Sequence, residues 1–297
     1  MMIPNWIKAQ VKRSKLLVAL RSTTKWKLHV LKDWWGTRVW TYTTEVVTPQ
    51  GFKLTSGFHP AYQLMRTGRF EVDETALLTR MLTRADRFID IGANLGYYTC
   101  LALQQGKPVV AFEPQTQNLQ CLYRNLLANG WLQGAEVVPV ALSDRVGLLE
   151  LYGASGPSAS LIKNWAGYSS RYRQMVPVST LDNILGGRFS GQRLLLKIDV
   201  EGAEHAVLKG ARATLARDPK PTWLVEICLQ EFHPEGFNPD FRDIFQLFWE
   251  HGYEAYAVAA TLQRVTPEDV ERWWITRKTD YGTFNYLFAS PADLPTG

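Results

Sequence analysis

From residue 87 onward, short and almost wholly apolar runs alternate with longer amphipathic stretches. The apolar runs fall near 87–91, 108–113, 135–140, 193–199 and 222–228, and their brevity predicts strands buried on both faces. Between them, periodic stretches near 96–105, 115–129, 203–216 and 239–251 predict helices, the last two following the fourth and fifth strands. Strand and helix taken in turn describe a parallel α/β sheet. Two late strands, near 253–259 and 283–289, follow the last helix.

Upstream of this core, residues 41–60 alternate enough (Val46, Val47, Phe52, Leu54) to predict a β-hairpin turning at Pro49-Gln50-Gly51. Helical segments around 60–66 and 72–83 lead into the sheet. Residues 1–40 read as one or two basic helices rich in Trp and Leu, an arm preceding a domain that spans 41–297. Two insertions interrupt the core. Residues 153–175, rich in Gly, Ser and Tyr, predict a mobile loop near the sheet edge, and residues 261–282 separate the last two strands.

Composition changes this picture little. A chain of 297 residues with 46% hydrophobic content has a sizeable core, and no apolar run is long enough to span a bilayer. Cys100, Cys121 and Cys228 lack metal-like spacing, so a cytoplasmic setting is expected. Charge is more telling. Residues 1–38 hold nine Lys and Arg against Asp33 alone, a net of +8, so the rest of the +5 chain carries −3. The basic character belongs to the arm, which argues against a nucleic-acid groove across the active face. Such an arm either lies on an anionic membrane surface, at the inner face of the membrane, or packs on its own core or on a second subunit of a homodimer.

The segment FIDIGANLGYYT (88–99) followed by VVAFEP (109–114) carries the first candidate chemistry. A strand ends in Asp90 and Gly92, and a tight turn with Asn94 and Gly96 opens a helix. The next strand ends in Glu113, 21 residues beyond Gly92. Small residues there let a cofactor approach the backbone, and an acid at the end of the second strand can accept hydrogen bonds from both ribose hydroxyls. The spacing Asp90-x-Gly92-x-Asn94-x-Gly96 departs from a dinucleotide fingerprint, and Asn tolerates the left-handed conformation the turn needs. An acid ahead of the first glycine suits a cofactor with an ammonium group rather than a pyrophosphate, as in S-adenosyl-L-methionine (SAM). The plainer alternative, a glycine turn serving only strand-to-helix packing, leaves Asp90 and Glu113 unexplained.

LLLKIDVEGAEHAVLKGA (194–211) is the second constellation. A buried parallel strand should be apolar, yet Lys197 and Asp199 interrupt this one near its carboxyl end and share a face. Two charges so placed are costly unless paired or in contact with a ligand. Glu201 and Glu204 follow at a helix start, where Glu204 suits a capping role. Glu226 on the next strand is likewise an acid in an apolar run. Lys197, Asp199, Glu201 and Glu226 are therefore the candidate catalytic groups. Asp199 and Glu226 could also hold Mg²⁺.

These segments, with VVPVALSD (137–144), PVSTLDNIL (177–185), TPQGFKL (48–54) and GRFE (68–71), resemble the FkbM family of SAM-dependent methyltransferases over roughly residues 45–230. The resemblance implies the Rossmann-like class I methyltransferase fold, a seven-stranded sheet with an antiparallel last strand. It also implies O-methylation of a hydroxyl, on a sugar, glycan or related natural product, with Ser143 and Asp144 joining Asp90, Gly92, Asn94, Gly96 and Glu113 at the cofactor. The family frequently has a His shortly after the acid of strand five. Here Ile227 and Cys228 follow Glu226, and the nearest histidine is His233, so the general base stays open. The acceptor is expected between the 153–175 and 261–282 insertions, with Trp165, Tyr168, Trp273 and Trp274 as an aromatic platform, although the Trp pair could equally belong to the core or a dimer contact. Two rival readings are a non-catalytic SAM-binding scaffold and a nicotinamide-dependent oxidoreductase.

Overall fold

Strands β1 (Glu45–Val47) and β2 (Lys53–Thr55) form the expected hairpin. Its turn closes with the Gly51 N–H donating to the Thr48 carbonyl at 2.9 Å, and Gly51 adopts φ +92°. The structure is a computed structural model that describes residues 45–55, 60–153 and 158–294. The expected arm over residues 1–40 lies outside the described residues.

Helices α1 (Pro60–Arg66) and α2 (Val72–Leu82) lead into β3 (Arg87–Ile91), α3 (Tyr97–Gln104), β4 (Val109–Phe112), α4 (Thr116–Asn129) and β5 (Ala135–Val138). Strands β6 (Ala141–Leu142), β7 (Gly147–Tyr152) and β8 (Arg173–Ser179) follow, then α5 (Leu181–Leu185) and β9 (Leu194–Ile198). The chain continues through α6 (Glu204–Lys209), α7 (Arg212–Leu215), β10 (Thr222–Glu226), α8 (Phe241–Glu250) and β11 (Glu254–Ala257). It ends its regular structure with β12 (Gln263–Val265), α9 (Pro267–Thr276) and β13 (Asn285–Ala289).

The central sheet has the order β12-β11-β13-β10-β9-β3-β4-β5. Strand β13 inserts between β10 and β11 and runs antiparallel to both, as expected for the last strand of a class I methyltransferase sheet. Beyond the seven expected strands, β12 pairs antiparallel with β11 and makes an eighth. It comes from the 261–282 insertion, which therefore extends the sheet edge before turning into α9. That helix starts on a capping box, with Thr266 and Asp269 each bonding the other's backbone N–H, and packs on α8.

Strand register fixes which side chains share a face. Asp90 pairs with Lys197, Lys197 with Leu224, and Leu224 with Leu287. One row further toward the carboxyl edge, Glu226 pairs with Asn285, and Asp199 follows Lys197 by two residues on its own strand. Asp90, Lys197, Asp199, Glu226 and Asn285 thus lie on one face. The alternate positions, including Ile89, Leu196, Ile198, Trp223, Val225 and Phe288, form the main core with α6 and α8 on the other face. There Phe248 stacks on Phe288 at 3.8 Å between ring centroids. Each such side chain contributes about 1.5–3 kcal/mol when fully buried, which makes this face the stable base for the polar one.

Two elements differ from the sequence reading. The segment expected as one helix over 203–216 breaks at Gly210 into α6 and α7, and the glycine admits the Ser143 carbonyl, since a Cβ there would lie 2.2 Å from its oxygen. Residues 141–179 form a separate three-stranded sheet of order β6-β8-β7. The 153–175 loop is thus the connection of a β7/β8 hairpin, pinned by a Tyr152–Ser160 bridge. Among the described residues no helix is long and apolar enough to cross a membrane.

Candidate active site

The turn after β3 is shaped by close approach. Gly92 adopts φ +85°, and a Cβ there would lie 1.8 Å from the Asp199 carbonyl oxygen, so the loops leaving β3 and β9 touch at this glycine. Asn94 accepts the left-handed conformation at φ 51°, and its N–H donates to Glu113 Oε2 at 2.8 Å. Glu113 Oε1 accepts from the Gln115 N–H at 2.8 Å and from Asn118 Nδ2 at 3.3 Å. Burial pushes the Glu113 carboxyl up to about 7, against the pull of those Gln115 and Asn94 donors.

Gly92, Asn94, Glu113 and Asn118 line a cleft over the carboxyl ends of β3, β4 and β9. Phe112, Val140, Leu142, Leu151 and Leu161 give it an apolar wall, and Asp199 and Glu201 border it on the β9 side. Among the described residues no Lys, Arg or His lines it. A nucleoside cofactor with one ribose and a cationic end fits this donor set. The apolar wall suits a base, Glu113 a diol, and the β9 acids a positive charge, whereas a pyrophosphate has no cationic seat.

Four of the expected cofactor residues do not line the cleft. Asp90 is buried beneath the cleft, where its Oδ2 accepts from the Thr99 hydroxyl at 2.6 Å and its strand partner is Lys197. Burial raises its carboxyl to about 6, moderated by Thr99 and Lys197. Ser143 and Asp144 do not line the cleft either. The Ser143 N–H is bonded to the Ser179 carbonyl, and Asp144 faces Arg145 and, at 3.9 Å, Lys209. Gly96 serves packing: at φ +89° it lets α4 approach so closely that a Cβ would sit 2.3 Å from Leu122 Cδ1.

The β9 side holds the predicted catalytic groups together. Lys197 Nζ donates to Asp199 Oδ2 at 2.7 Å and lies 4.8 Å from the centroid of the Tyr98 ring. Burial alone would lower the Lys197 pKa, but Asp199 and Glu71 reverse this and hold it above its ordinary value. Lys197 therefore stays a cation. Burial, with the charge of Asp199 beside it, raises Glu226 well above the usual carboxylate range. Glu201 takes a left-handed turn at φ 56° and is pushed up to about 8 by burial and by Asp199. Its Oε2 accepts from Trp165 Nε1 at 2.6 Å. Glu204 is a local brace, accepting from the Gly202 N–H at 2.9 Å.

One participant carried no signal strong enough to be read from sequence, and another takes a role different from the platform expected of it. Glu71, at the start of α2, accepts from the Tyr98 hydroxyl at 2.5 Å and is raised above its ordinary value, chiefly by burial. Its only trace was the GRFE segment, whose acid reads as an ordinary helix-start residue. Trp165 is 2% exposed and lies over Gly202, where a Cβ would be 2.3 Å from its ring. It fastens the 158–172 loop to the turn after β9, edge-on to His233 at 4.6 Å. Burial lowers His233 to about 4.

The aromatic platform does not assemble as expected. Trp273 is fully buried and packs on Tyr281 and Tyr286, because it lies on the core-facing side of α9 with Val270. Trp274 packs instead against Phe237, with Arg242 and Arg277 over its ring. The 261–282 insertion therefore supports the sheet edge and the loop after β10. As for metal ligands, among the described residues the group whose donor atoms converge is His205, Asp240 and Asp243, which includes neither Asp199 nor Glu226. His205 Nδ1 lies 2.9 Å from Asp240 Oδ1 there.

With this geometry in place, comparison with known proteins identifies the class. The model of the methyltransferase FkbM domain matches residues 90–255. The chain belongs to this family and is a methyltransferase. Methyltransferase sdnD of Sordaria araneosa is 28% identical over 191 residues, 53% of this chain and 71% of that protein. Among solved structures, the FkbM methyltransferase of Methylobacillus flagellatus aligns with TM-score 0.44 and 17% identity over 69% of this chain, which spans 44% of that one. A putative O-methyltransferase of Klebsiella pneumoniae aligns with TM-score 0.43 and 13% identity, over 73% of this chain and 78% of that one.

Proposed function

We propose that the protein transfers a methyl group from S-adenosyl-L-methionine to a hydroxyl of a sugar, glycan or related natural-product acceptor. The observation that carries this reading is the ion pair of buried Lys197 with partly exposed Asp199 beside the cleft, with Glu226 on the neighbouring strand. When bound, SAM supplies an electrophilic methyl on its sulfonium. Glu113 would hold its ribose diol, and the acids on the β9 side would face its positive end.

An alcohol is a poor nucleophile until its proton is removed. Asp199 both lines the cleft and is oriented by Lys197, which suits it to take that proton. Lys197, kept charged, stabilises the negative charge that develops on the acceptor oxygen. Glu226, raised well above the ordinary range, keeps its proton and offers the acceptor both a donor and a carbonyl oxygen. Mg²⁺ is not needed for this scheme, and full turnover after exhaustive EDTA treatment would agree with it.

The test is incubation with methyl-labelled SAM and a panel of glycosides and polyols, followed by mass analysis of the products. Methyl ethers formed by the wild type and lost in Asp199→Asn support the proposal. Methyl transfer exclusively to nitrogen or carbon would overturn it, as would unimpaired ether formation by Asp199→Asn.

A further inference from the structure

Beside the reaction centre, one buried polar group is left incomplete. Asn285, at the start of β13, is 6% exposed, and its Nδ2 donates to Glu74 Oε1 at 3.1 Å. Its Oδ1 is buried and has no hydrogen-bond partner among the described residues. A buried carbonyl oxygen in that state is costly unless a ligand completes it. Asn285 is the strand partner of Glu226, on the sheet face that carries Lys197 and Asp199. Glu71 and Glu74, from the start of α2, reach the same region. Glu71 is within the field of Lys197 and Asp199, and Glu74 is bonded to Asn285.

We propose that the start of α2, the carboxyl end of β10 and Asn285 form an acceptor subsite for a neutral polyhydroxylated ligand, one that presents adjacent hydroxyls and carries no phosphate or carboxylate. This deepens the methyl-transfer reading and rests on it. Three features select that chemistry. Asn285 Oδ1 calls for a donor, which a hydroxyl supplies and a phosphate oxygen does not. Lys197 is the one cation among the principal charges bearing on Glu71 and Glu226, and it is already engaged by Asp199 and the Tyr98 ring. Among the described residues, an anionic acceptor would therefore meet several carboxyls and no cation beyond the already engaged Lys197. Finally, burial inclines Glu71 and Glu226 to keep their protons, and a protonated carboxyl donates and accepts as a hydroxyl does, which suits a polyol better than an ammonium.

The experiment uses full-length protein saturated with S-adenosylhomocysteine and ligand-observed NMR titrations with matched probes. These are methyl glucopyranoside, methyl mannopyranoside, myo-inositol, glucosamine and glucose 6-phosphate. The tightest neutral probe should bind about ten-fold or more tightly than either charged one, and Asn285→Leu should weaken it by about ten-fold while S-adenosylhomocysteine affinity is unchanged. If Asn285→Leu does not fold, Glu226→Leu takes its place with the same expected loss, and the charge preference of the wild type stands as an independent arm. The subsite is overturned if the phosphate or amine binds as tightly as the neutral probes, if no neutral probe binds, or if the folded variant binds the neutral probe as the wild type does. Failure to bind S-adenosylhomocysteine at all would instead bring down the donor assignment, so the two outcomes are distinguishable.

Discussion

The two halves of the candidate active site are built by different means. On the β3–β4 side, the cleft is made mostly of backbone: Gly92, the left-handed Asn94, and one carboxylate, Glu113, clamped by the Asn94 and Gln115 N–H groups. On the β9–β10–β13 side, it is made of side chains from distant segments, with Glu71, Tyr98, Lys197, Asp199, Glu226 and Asn285 meeting on one sheet face. The first design constrains the chain wherever it passes, so its residues lie in one short motif. The second needs only that the fold deliver charges to a common place. A cofactor held by backbone requires fixed geometry, while an acceptor held by side chains leaves room for the substrate to differ between relatives of one fold.

Substitutions that act on one half alone break this comparison most sharply, and the largest effect belongs to the point where the halves touch. Gly92→Ala would drive a Cβ to 1.8 Å from the Asp199 carbonyl oxygen in a left-handed backbone. We expect a loss of about 3 kcal/mol or more in stability from overpacking and backbone strain together, read by urea denaturation, with donor binding and turnover falling together. A variant with wild-type stability would show that the two loops do not depend on each other.

Glu113→Ala tests the donor half by itself. Its SAM affinity should fall by about 1.5–3 kcal/mol, the range for hydrogen bonds to a charged group. Isothermal calorimetry showing unchanged SAM binding would remove Glu113 from the cofactor site.

The contrast explains what the sequence made legible. FIDIGANLGYYT and Glu113 lie close together along the chain, and their chemistry can be read without knowing the fold. Lys197, Asp199 and Glu226 were legible too, because charges in apolar strands stand out. Glu71 and Asn285 were not: an acid before a helix and an Asn before a strand look ordinary until register and packing bring them beside Lys197. The hairpin β7/β8 was hidden for another reason, since its connection is rich in Gly and Ser and reads as loop throughout. Trp273 was ambiguous because helical spacing places a Trp on the core-facing or solvent-facing side equally well. Asp90 was assigned to the ligand, whereas its carboxyl is bonded by Thr99, at the end of the same motif, and its strand partner is Lys197, which only the register brings beside it.

A smaller effect concerns pH. Burial raises Asp90 to about 6, Glu113 and Glu204 to about 7, and Glu201 to about 8. Between their unfolded values near 4 and these folded ones, the native state binds more protons than the unfolded chain. Stability should therefore fall as pH rises from 5 to 8. His233, lowered to about 4 by burial, acts in the opposite sense below pH 6.5, one group against four. Calorimetric Tm values should decline across that interval in the SAM-free protein, and Glu113→Gln should flatten the decline. A Tm that climbs steadily from pH 5 to 8 would contradict the assignment of these groups as buried and proton-retaining.

The smallest effect tests the strap over the β9 turn. Trp165→Phe keeps an aromatic ring over Gly202 and removes the hydrogen bond to Glu201. A cost of about 1 kcal/mol in stability is expected, with a modest rise in acceptor KM and no change in SAM affinity.

Separability of the halves is tested most directly by Lys197→Met, which removes the cation and keeps the apolar stem. SAM binding by calorimetry and methyl transfer from labelled SAM should be measured on the same preparation. The geometry predicts SAM affinity close to that of the wild type and turnover reduced by a factor of about 10²–10³ or more, the scale for losing a preorganised electrostatic group. Transfer at the wild-type rate would contradict it, and so would a variant that cannot fold, since Lys197–Asp199 would then be a structural ion pair rather than the reaction centre.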